Sequence, residues 1–147
     1  MTRINVIDPH LLVDNHLLAE HRECTRIPNT ILSGKAIVDL DKIPPHYVLG
    51  KGHVTFFYNK LQWLYERYNA LHSECIKRGF NVTYKWPMEL VEVSPELFGT
   101  FIVRDVDTQI NVERVLQRFP KAARMFGVKI ELNEYLNTLS VKQDLMV

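Results

Sequence analysis

The feature of this sequence that most constrains its fold is an apolar repeat in the middle of the chain. Its members step by three and four positions: Phe57, Leu61, Leu64, Tyr68, Leu71 and Cys75. Side chains at this spacing share one face of an α-helix, and the Lys77-Arg78-Gly79 that follows is typical of a helix end. We therefore predict a long amphipathic helix from about His53 to Arg78, which must bury its apolar face against other elements.

Another helix is predicted near the N-terminus. Asp8-Pro9 is a typical helix start, and apolar and polar residues then segregate at helical spacing up to about Cys24. At about 100° per residue, Val13, Leu17 and Cys24 fall on one side and form a core face. The opposite side is predicted to be polar and partly basic, and it consists of Asn15, His16, Ala19, Arg22, Glu23 and Arg26.

The remaining sequence predicts shorter elements and irregular connections. Prolines and glycines leave room only for a short helix or turn around Thr30 to Ser33, and they favour irregular structure from Phe80 to Arg104. A third helix is expected from about Asp107 to Arg118. A terminal helix is expected in the last segment, where Leu132, Leu136 and Leu139 lie at helical spacing. The expected architecture is one domain over residues 1–147 with three main helices.

Composition limits the class of protein. A chain of 147 residues with 46% hydrophobic and 24% charged residues fits one compact domain with a real core. Its net charge of +1 argues against a uniformly basic nucleic-acid coat, so any basic surface must be local. Cys24 and Cys75 have no partners at ligand spacing, which indicates a reducing compartment. Without a leader or a long apolar run, we expect a soluble, cytoplasmic protein with no membrane contact.

Two motifs look like ligand sites but have simpler explanations. His16, Glu20 and His21 invite a zinc-protease interpretation, yet such sites need two His four positions apart, and five positions rotate these two by about 140°. The Gly50-Lys51-Gly52-His53 stretch resembles a phosphate loop only loosely. A tight turn into the central helix explains it better.

Glu23 and Thr2 stand out in the N-terminal region for different reasons. Glu23 has a structural explanation, since a carboxylate one turn from Arg26, with Glu20 and Arg22 nearby, forms an exposed ion-pair face of small energetic value. Thr2 is a small residue after Met1 and permits removal of that Met, which would expose an α-amine. The ordinary pKa of an α-amine, about 7.7–8.0, leaves a fraction of it neutral and nucleophilic at pH 7. Neighbouring cations would lower this pKa and Glu23 would raise it.

Several stretches, taken in order, resemble one known family. They are "MTRIN" at the N-terminus, "HLLAEHRE" from His16 with Arg26 following, "LGKGHVTFFYNKL" from Leu49 and "KRGFN" from Lys77. The chain resembles the phage-type endonuclease V family, the pyrimidine-dimer DNA glycosylases. The resemblance is strong over residues 1–26 and 47–81 and recognisable to about Pro120 through "SPELFGTF" and "VERVLQRFP".

The resemblance implies a small all-helical domain whose N-terminal segment is threaded between helices. It implies that the Thr2 amine attacks the deoxyribose at a cyclobutane pyrimidine dimer, forms an imine and nicks the strand by β-elimination, assisted by Glu23. No metal or cofactor is required, and the partner is double-stranded DNA with damaged bases, bound by a monomer. The resemblance implies phosphate and sugar contacts at Arg3, His16, Arg22 and Arg26, and a further DNA contact is expected at Asn15, which stands where a Gln is typical. We also expect DNA contacts from Arg114, Arg118 and Lys121.

The chain also departs from the family. Where members carry an aromatic and basic ending, residues 122–129 keep only one ring, Phe126, and residues 130–147 form an added C-terminal tail. Three alternatives therefore stay open. They are the same chemistry on another damaged or modified base, a non-catalytic DNA-binding relative, and a hydrolase that uses the Thr2 hydroxyl as nucleophile and its own amine as base.

Overall fold

The protein folds around a pair of helices that pack against each other, α1 (Asp14–Leu32) and α3 (Leu61–Lys77). The structure is a computed structural model that describes residues 4–145, with side chains described to residue 139. Shorter helices surround the pair: α2 (His53–Phe56), α4 (Leu90–Val93), α5 (Asp105–Gln117) and α6 (Leu132–Leu145). Single 3-10 turns lie at Pro9–Leu11, Leu40–Lys42, Phe57–Asn59 and Pro95–Leu97. The prediction of an all-α fold is confirmed.

The core lies between the apolar faces of α1 and α3. Leu17 and Cys24 of α1 are fully buried, as the helical spacing predicted. The central repeat supplies the opposite wall, where Leu61, Leu64, Leu71 and Cys75 are also fully buried. Each such aliphatic side chain contributes about 1.5–3 kcal/mol when it is removed from water. Within residues 4–145, no helix is both long enough and apolar enough to cross a bilayer.

Helix α1 is longer than predicted, because Pro28 lies inside it instead of following its end. The first turn predicted to start this helix at Pro9 is a separate 3-10 turn. Pro28 has no N–H to donate to the carbonyl of the preceding turn. Ile27 and Pro28 are both buried, so packing of this turn offsets the lost bond. The short helix expected at residues 30–33 is the last turn of α1 and its cap.

The predicted long helix from His53 to Arg78 is interrupted. It consists of α2, a 3-10 turn and α3, with the break at Lys60. A distant segment causes the break, because the Gly99 N–H donates to the Asn59 carbonyl at 3.1 Å and the Trp63 N–H donates to the Gly99 carbonyl at 3.3 Å. A Cβ at Gly99 would lie 2.5 Å from the Asn59 oxygen, so only glycine permits this approach.

The N-terminal segment Ile4–Ile7 runs through the interior. Ile4, Asn5 and Ile7 are each at most 3% exposed. The expectation of a segment threaded between helices is therefore met by the described residues 4–7.

The C-terminal third contains a hairpin that the sequence did not predict. Strands β1 (Arg124–Met125) and β2 (Val128–Lys129) pair antiparallel. Asp14 of α1 holds the turn, accepting hydrogen bonds from the Phe126 N–H at 3.0 Å and the Gly127 N–H at 2.8 Å. The same carboxylate binds the buried Arg78 guanidinium at 2.8 Å. One ion pair thus ties the hairpin to both central helices.

The segment expected to be an added tail belongs in part to the core. Tyr135 of α6 is fully buried, and its hydroxyl donates to the Leu11 carbonyl at 2.7 Å. Its ring packs against Phe119, with centroids 5.5 Å apart. Burial raises the pKa of the Tyr135 hydroxyl to about 12, although Arg78 opposes this. Leu139, one turn later, is 4% exposed.

Candidate active site

The exposed surface of α1 is a narrow polar stripe. It consists of Asn15, Arg22, Arg26 and Asn29, which recur at helical spacing. A cavity of about 410 Å³ lies beside its middle, lined by Arg22 and, among others, His21, Asn81, Thr83 and Tyr84. A second cavity, of about 360 Å³, is lined by Glu23, Arg26, Ile27, Thr30, Lys35, Ala36, Val54 and Tyr58. Arg22 therefore lies at the edge of the first cavity and Arg26 at the edge of the second.

Glu23 is a buried carboxylate at the wall of the second cavity, which is called the Glu23 cavity below. Its side chain is 7% exposed, whereas that of Arg26 is 61% exposed, and Arg26 Nη1 lies 3.3 Å from Glu23 Oε1. The interpretation of Glu23 as part of an exposed ion-pair face is therefore wrong. Residues outside α1, including Val54, Lys35 and Tyr58, cover the side that the helical spacing left open.

Glu20 is also buried, and it pairs with a residue of α3. Arg67 Nε and Nη2 lie 2.8 and 3.0 Å from the two Glu20 carboxylate oxygens, which is a bidentate arrangement. Burial raises the pKa of the Glu20 carboxyl, while Arg67 and the Asn5 N–H oppose the rise. Burial acts to lower the pKa of Arg67, but Glu20 outweighs it and holds that pKa above its ordinary value. Arg67 is thus a permanent cation within the core.

The N-terminal segment Ile4–Ile7 is anchored by side chains. The Asn5 N–H donates to Glu20 Oε2 at 3.3 Å, and the Val6 N–H donates to Asn111 Oδ1 at 3.1 Å. Arg67 donates to the Ile7 carbonyl at 2.6 Å and to Asn5 Oδ1 at 3.0 Å. These bonds satisfy backbone groups that have no helix or sheet partner, so they fix the path of the segment.

Ile4 is the first described residue of this segment, and side chains bind both of its polar backbone groups. Its N–H donates to His53 Nε2 at 3.1 Å, and its carbonyl accepts from the Tyr47 hydroxyl at 2.7 Å. Val54, the residue after His53, lines the same cavity as Glu23. Ile4 is therefore linked, through His53, to the element that forms part of the cavity wall. The predicted site residues Thr2 and Arg3 lie outside the described residues.

Asn15 and His16 hold the loop that follows α5. Asn15 Oδ1 accepts from the Arg124 N–H at 3.1 Å, and His16 Nε2 lies 3.1 Å from the Arg118 carbonyl. His16 is 6% exposed, so its predicted place on an open polar face is wrong. Burial lowers the pKa of His16, and the bond to the Arg118 carbonyl partly opposes this.

The predicted basic residues form two groups. Arg22 and Arg26 are exposed in the second half of α1, while Arg118 and Lys121 are exposed near the N-terminal end of α1, where His16 contacts the Arg118 backbone. Arg114 is only partly exposed. At about 1.5 Å rise per residue, Asn15 and Arg26 are about 16 Å apart along the helix axis. The groups thus mark the two ends of an elongated surface.

His16, Glu20 and His21 bind three different partners, so the structure does not bring them together as a metal site. His21 Nε2 lies 3.0 Å from His72 Nδ1, and its ring packs 5.1 Å from that of Tyr68. Burial lowers the pKa of His21 to about 4, and His72 adds to this. Among residues with described side chains, no cluster of three His, Cys, Asp or Glu could hold a metal ion.

Several residues of this region escaped the sequence analysis. Lys35 and Tyr58 enter the Glu23 cavity from a loop and a 3-10 turn, and His53, Tyr47 and Asn111 hold the N-terminal segment. None of them belongs to the helix that carries Glu23. The signal in the sequence for His53 and Tyr58 was their place in the "LGKGHVTFFYNKL" stretch, which begins two residues after Tyr47.

A family model described as pyrimidine dimer DNA glycosylase matches residues 1–88, more than half of the 147-residue chain. The matched region contains α1, α3, the anchored segment and every residue that lines the Glu23 cavity. It ends before α5, so Arg114, Arg118 and Lys121 lie outside it. The chain belongs to the pyrimidine dimer DNA glycosylase family.

Proposed function

We propose that the protein is a DNA glycosylase and AP lyase that uses the α-amine of Thr2 on DNA with cyclobutane pyrimidine dimers. The observation that supports this proposal is the anchoring of the Ile4 N–H by His53, the residue that precedes Val54 in the wall of the Glu23 cavity. From Ile4 to Ile7, every backbone N–H is held by a side chain, which is a costly arrangement for a terminus. The anchoring of Ile4–Ile7 is explained if the residues before Ile4 must reach a fixed point.

The reach of the chain fits this proposal. Two residues separate the Thr2 nitrogen from the Ile4 nitrogen, and an extended chain covers at most about 7 Å over two residues. The Asn5 N–H bonds to Glu20, and Glu23 lies three residues further along α1, a rise of about 4.5 Å. A terminal amine within this radius would work close to the Glu23 carboxylate.

The proposed reaction begins with a nucleophilic substitution at the sugar. The neutral Thr2 amine bonds to C1′, while the bond from C1′ to the base breaks and the base leaves with its electron pair. The C1′–O4′ bond then opens, O4′ takes a proton from the nitrogen, and a protonated imine remains. The Glu23 carboxylate stabilises the cationic sugar and imine.

Strand cleavage follows from the imine. Glu23 removes a proton from C2′, the electrons form the C2′–C3′ double bond, and the C3′–O3′ bond breaks, so that O3′ leaves with its electron pair as part of the 5′-phosphate of the downstream strand. Water then hydrolyses the imine and frees the amine. Arg26, which contacts Glu23 and is mostly exposed, would bind a phosphate beside the reacting sugar.

As a monomer, the protein would bind double-stranded DNA along α1 through the two basic groups. Arg22 and Arg26, with Arg3 beyond the described residues, would contact the strand that is cut. Asn15, Arg118, Lys121 and the partly exposed Arg114 would hold the duplex at the other end. His16 would act indirectly, by fixing the Arg118 backbone. With a net charge of +1, affinity would depend on this local surface.

Borohydride trapping tests the proposal. The protein is mixed with an ultraviolet-irradiated duplex and reduced, and we expect a covalent complex together with strand nicking. Thr2→Ser keeps a small second residue and a free amine, so it should still be trapped, whereas N-acetylated protein should not. Trapping that survives acetylation would overturn the amine assignment. Binding of damaged duplex without trapping or nicking would indicate a non-catalytic relative.

Another damaged base is a second candidate substrate. In the stretch where the family carries several aromatic residues, this chain has a hairpin whose ring, Phe126, packs over the Arg78 guanidinium at 4.5 Å. A ring held by the protein in this way has one face less for stacking on DNA. A panel of duplexes with single defined lesions decides between the substrates. The highest trapping rate should fall on the cyclobutane dimer if the primary proposal holds.

A further inference from the structure

The loop that contains Gly50 and Gly52 is built to bring two side chains to Ile4. Both glycines have positive φ, at 72° and 89°, where other residues are strained. A Cβ at Gly52 would also lie 3.0 Å from the Pro44 side chain. The resulting turn brings Tyr47 and His53 together, with ring centroids 5.6 Å apart in an edge-to-face arrangement.

These two side chains bind both polar groups of Ile4. His53 Nε2 accepts from the Ile4 N–H at 3.1 Å, and the Tyr47 hydroxyl lies 2.7 Å from the Ile4 carbonyl oxygen. All three residues are at most 3% exposed. Water therefore cannot replace either bond, and the orientation of both peptide planes of Ile4 depends on this loop.

The loop also fixes which His53 nitrogen can accept. His53 Nδ1 lies 2.8 Å from the Val48 carbonyl, an acceptor, so Nδ1 carries the proton. Nε2 is then the acceptor that the Ile4 N–H requires. The Tyr47 hydroxyl is likewise confined, because it also lies 3.0 Å from Asn111 Oδ1, the atom that accepts from the Val6 N–H.

We propose that His53 and Tyr47 are positioning residues that aim the Thr2 amine at the Glu23 carboxylate. This inference rests on the proposed function of Thr2. Asn5 and Ile7 have anchors in Glu20 and Arg67, and Val6 keeps its bond to Asn111 Oδ1, an acceptor that it shares with Tyr47, so loss of a bond at Ile4 leaves the rest of the segment held. The two residues before Ile4 would then sample other directions. A misplacement of about 1 Å at a reacting group can reduce a rate about 100-fold.

The kinetic test uses matched variants at His53 and Tyr47. His53→Phe keeps a ring of similar size but removes the acceptor, whereas His53→Gln retains an oxygen that can accept from the Ile4 N–H. Tyr47→Phe removes only the hydroxyl. The rate of imine formation is measured by borohydride trapping on abasic duplex at saturating DNA. We expect a loss of about tenfold or more for both Phe variants, with rescue in His53→Gln and unchanged DNA affinity.

A second measurement needs no DNA. The Thr2 amine is reductively methylated with ¹³C-formaldehyde and its pKa is followed by NMR, with Glu23 intact and in Glu23→Gln. In the otherwise native chain the Gln substitution should lower the amine pKa, because a nearby carboxylate favours the ammonium form. In His53→Phe the same substitution should change it less. This readout also stands if a Phe variant is less stable, provided that its NMR spectrum shows it folded at the working temperature.

The outcomes separate the two proposals. In one outcome, Glu23→Gln changes the amine pKa in the otherwise native chain but not in His53→Phe, and the native protein is not trapped on DNA. This outcome would support the positioning role and overturn the imine chemistry. The positioning role would be overturned if both folded Phe variants matched the native protein in trapping rate and in the effect of Glu23→Gln on the amine pKa. Equal losses in His53→Gln and His53→Phe would also overturn it, since the accepting atom would then not matter.

Discussion

Glu23 and Arg26 form an ion pair in which the anion is buried and the cation is open to solvent. The two side chains are one helical turn apart on α1, with 3.3 Å between Arg26 Nη1 and Glu23 Oε1. Here the carboxylate lies at a cavity wall next to an exposed guanidinium, and the proposed reaction would use the first group at the sugar and the second at a phosphate.

Replacing Glu23 by Gln should separate binding from catalysis. The amide has nearly the same shape, so lesion DNA should bind with similar affinity, while cleavage should slow by about 100-fold or more because proton removal and charge stabilisation are lost. Single-turnover nicking and equilibrium binding measure the two effects. Unaltered turnover would return Glu23 to a purely structural role.

Breaking the Glu20–Arg67 pair should destabilise the fold. Arg67→Met would leave the Glu20 carboxylate buried without its cation, and it would also remove donors to Asn5 and the Ile7 carbonyl. The expected loss in the free energy of unfolding is about 3–5 kcal/mol, measured by urea denaturation.

The exposed pair of Lys42 and Asp39 provides the control for that measurement, with side chains 84% and 45% exposed. Lys42→Met should change the free energy of unfolding by less than about 1 kcal/mol. If the Arg67 and Lys42 variants lost similar amounts, the buried pair would not be the main anchor of the N-terminal segment.

Acid should destabilise the protein through His21. Its pKa in the fold is about 4, below the ordinary 6.5, so the unfolded chain takes up this proton first. Stability from His21 is therefore complete above pH 6.5 and is lost as the pH falls towards 4, by on the order of 1–3 kcal/mol. Urea denaturation at several pH values measures the slope. In His21→Phe the slope over this interval should flatten, and an unchanged slope would assign the acid sensitivity to other groups.

Salt should weaken DNA binding through both basic groups. Each phosphate contact removed, by Arg26→Gln or by Lys121→Gln, should reduce the slope of log affinity against log salt by about one. Lys77→Gln, an exposed residue at the end of α3, is a matched change of one charge. A slope that falls equally in all three variants would mean that overall charge, and not the surface along α1, controls binding.

Local patterns predicted the helices better than their interruptions. The apolar repeat of α3 correctly identified Leu61, Leu64, Leu71 and Cys75 as core. The break at Lys60 was not predictable from spacing, because it depends on bonds to Gly99 from a distant part of the chain. The length of α1 was underestimated for a related reason: a proline normally ends a helix, and here burial of the surrounding turn overrides that tendency.

The candidate site was only partly predictable. Helical spacing placed Glu23 beside Arg26, but it could not show that other segments cover Glu23 and leave Arg26 open. The anchors of Ile4 were hidden for a different reason. A bond between a side chain and a distant backbone group leaves no periodic pattern, so His53 and Tyr47 became visible only in the folded chain.

The most direct test of the central claim is to locate the covalent bond itself. The borohydride-reduced complex with irradiated duplex is digested with nuclease and protease, and the modified peptide is sequenced by mass spectrometry. The account predicts a deoxyribose remnant on the α-nitrogen of an N-terminal peptide that begins at Thr2, with Met1 removed. A remnant on a lysine side chain, or a cleaved strand with Met1 retained on every N-terminal peptide, would contradict it.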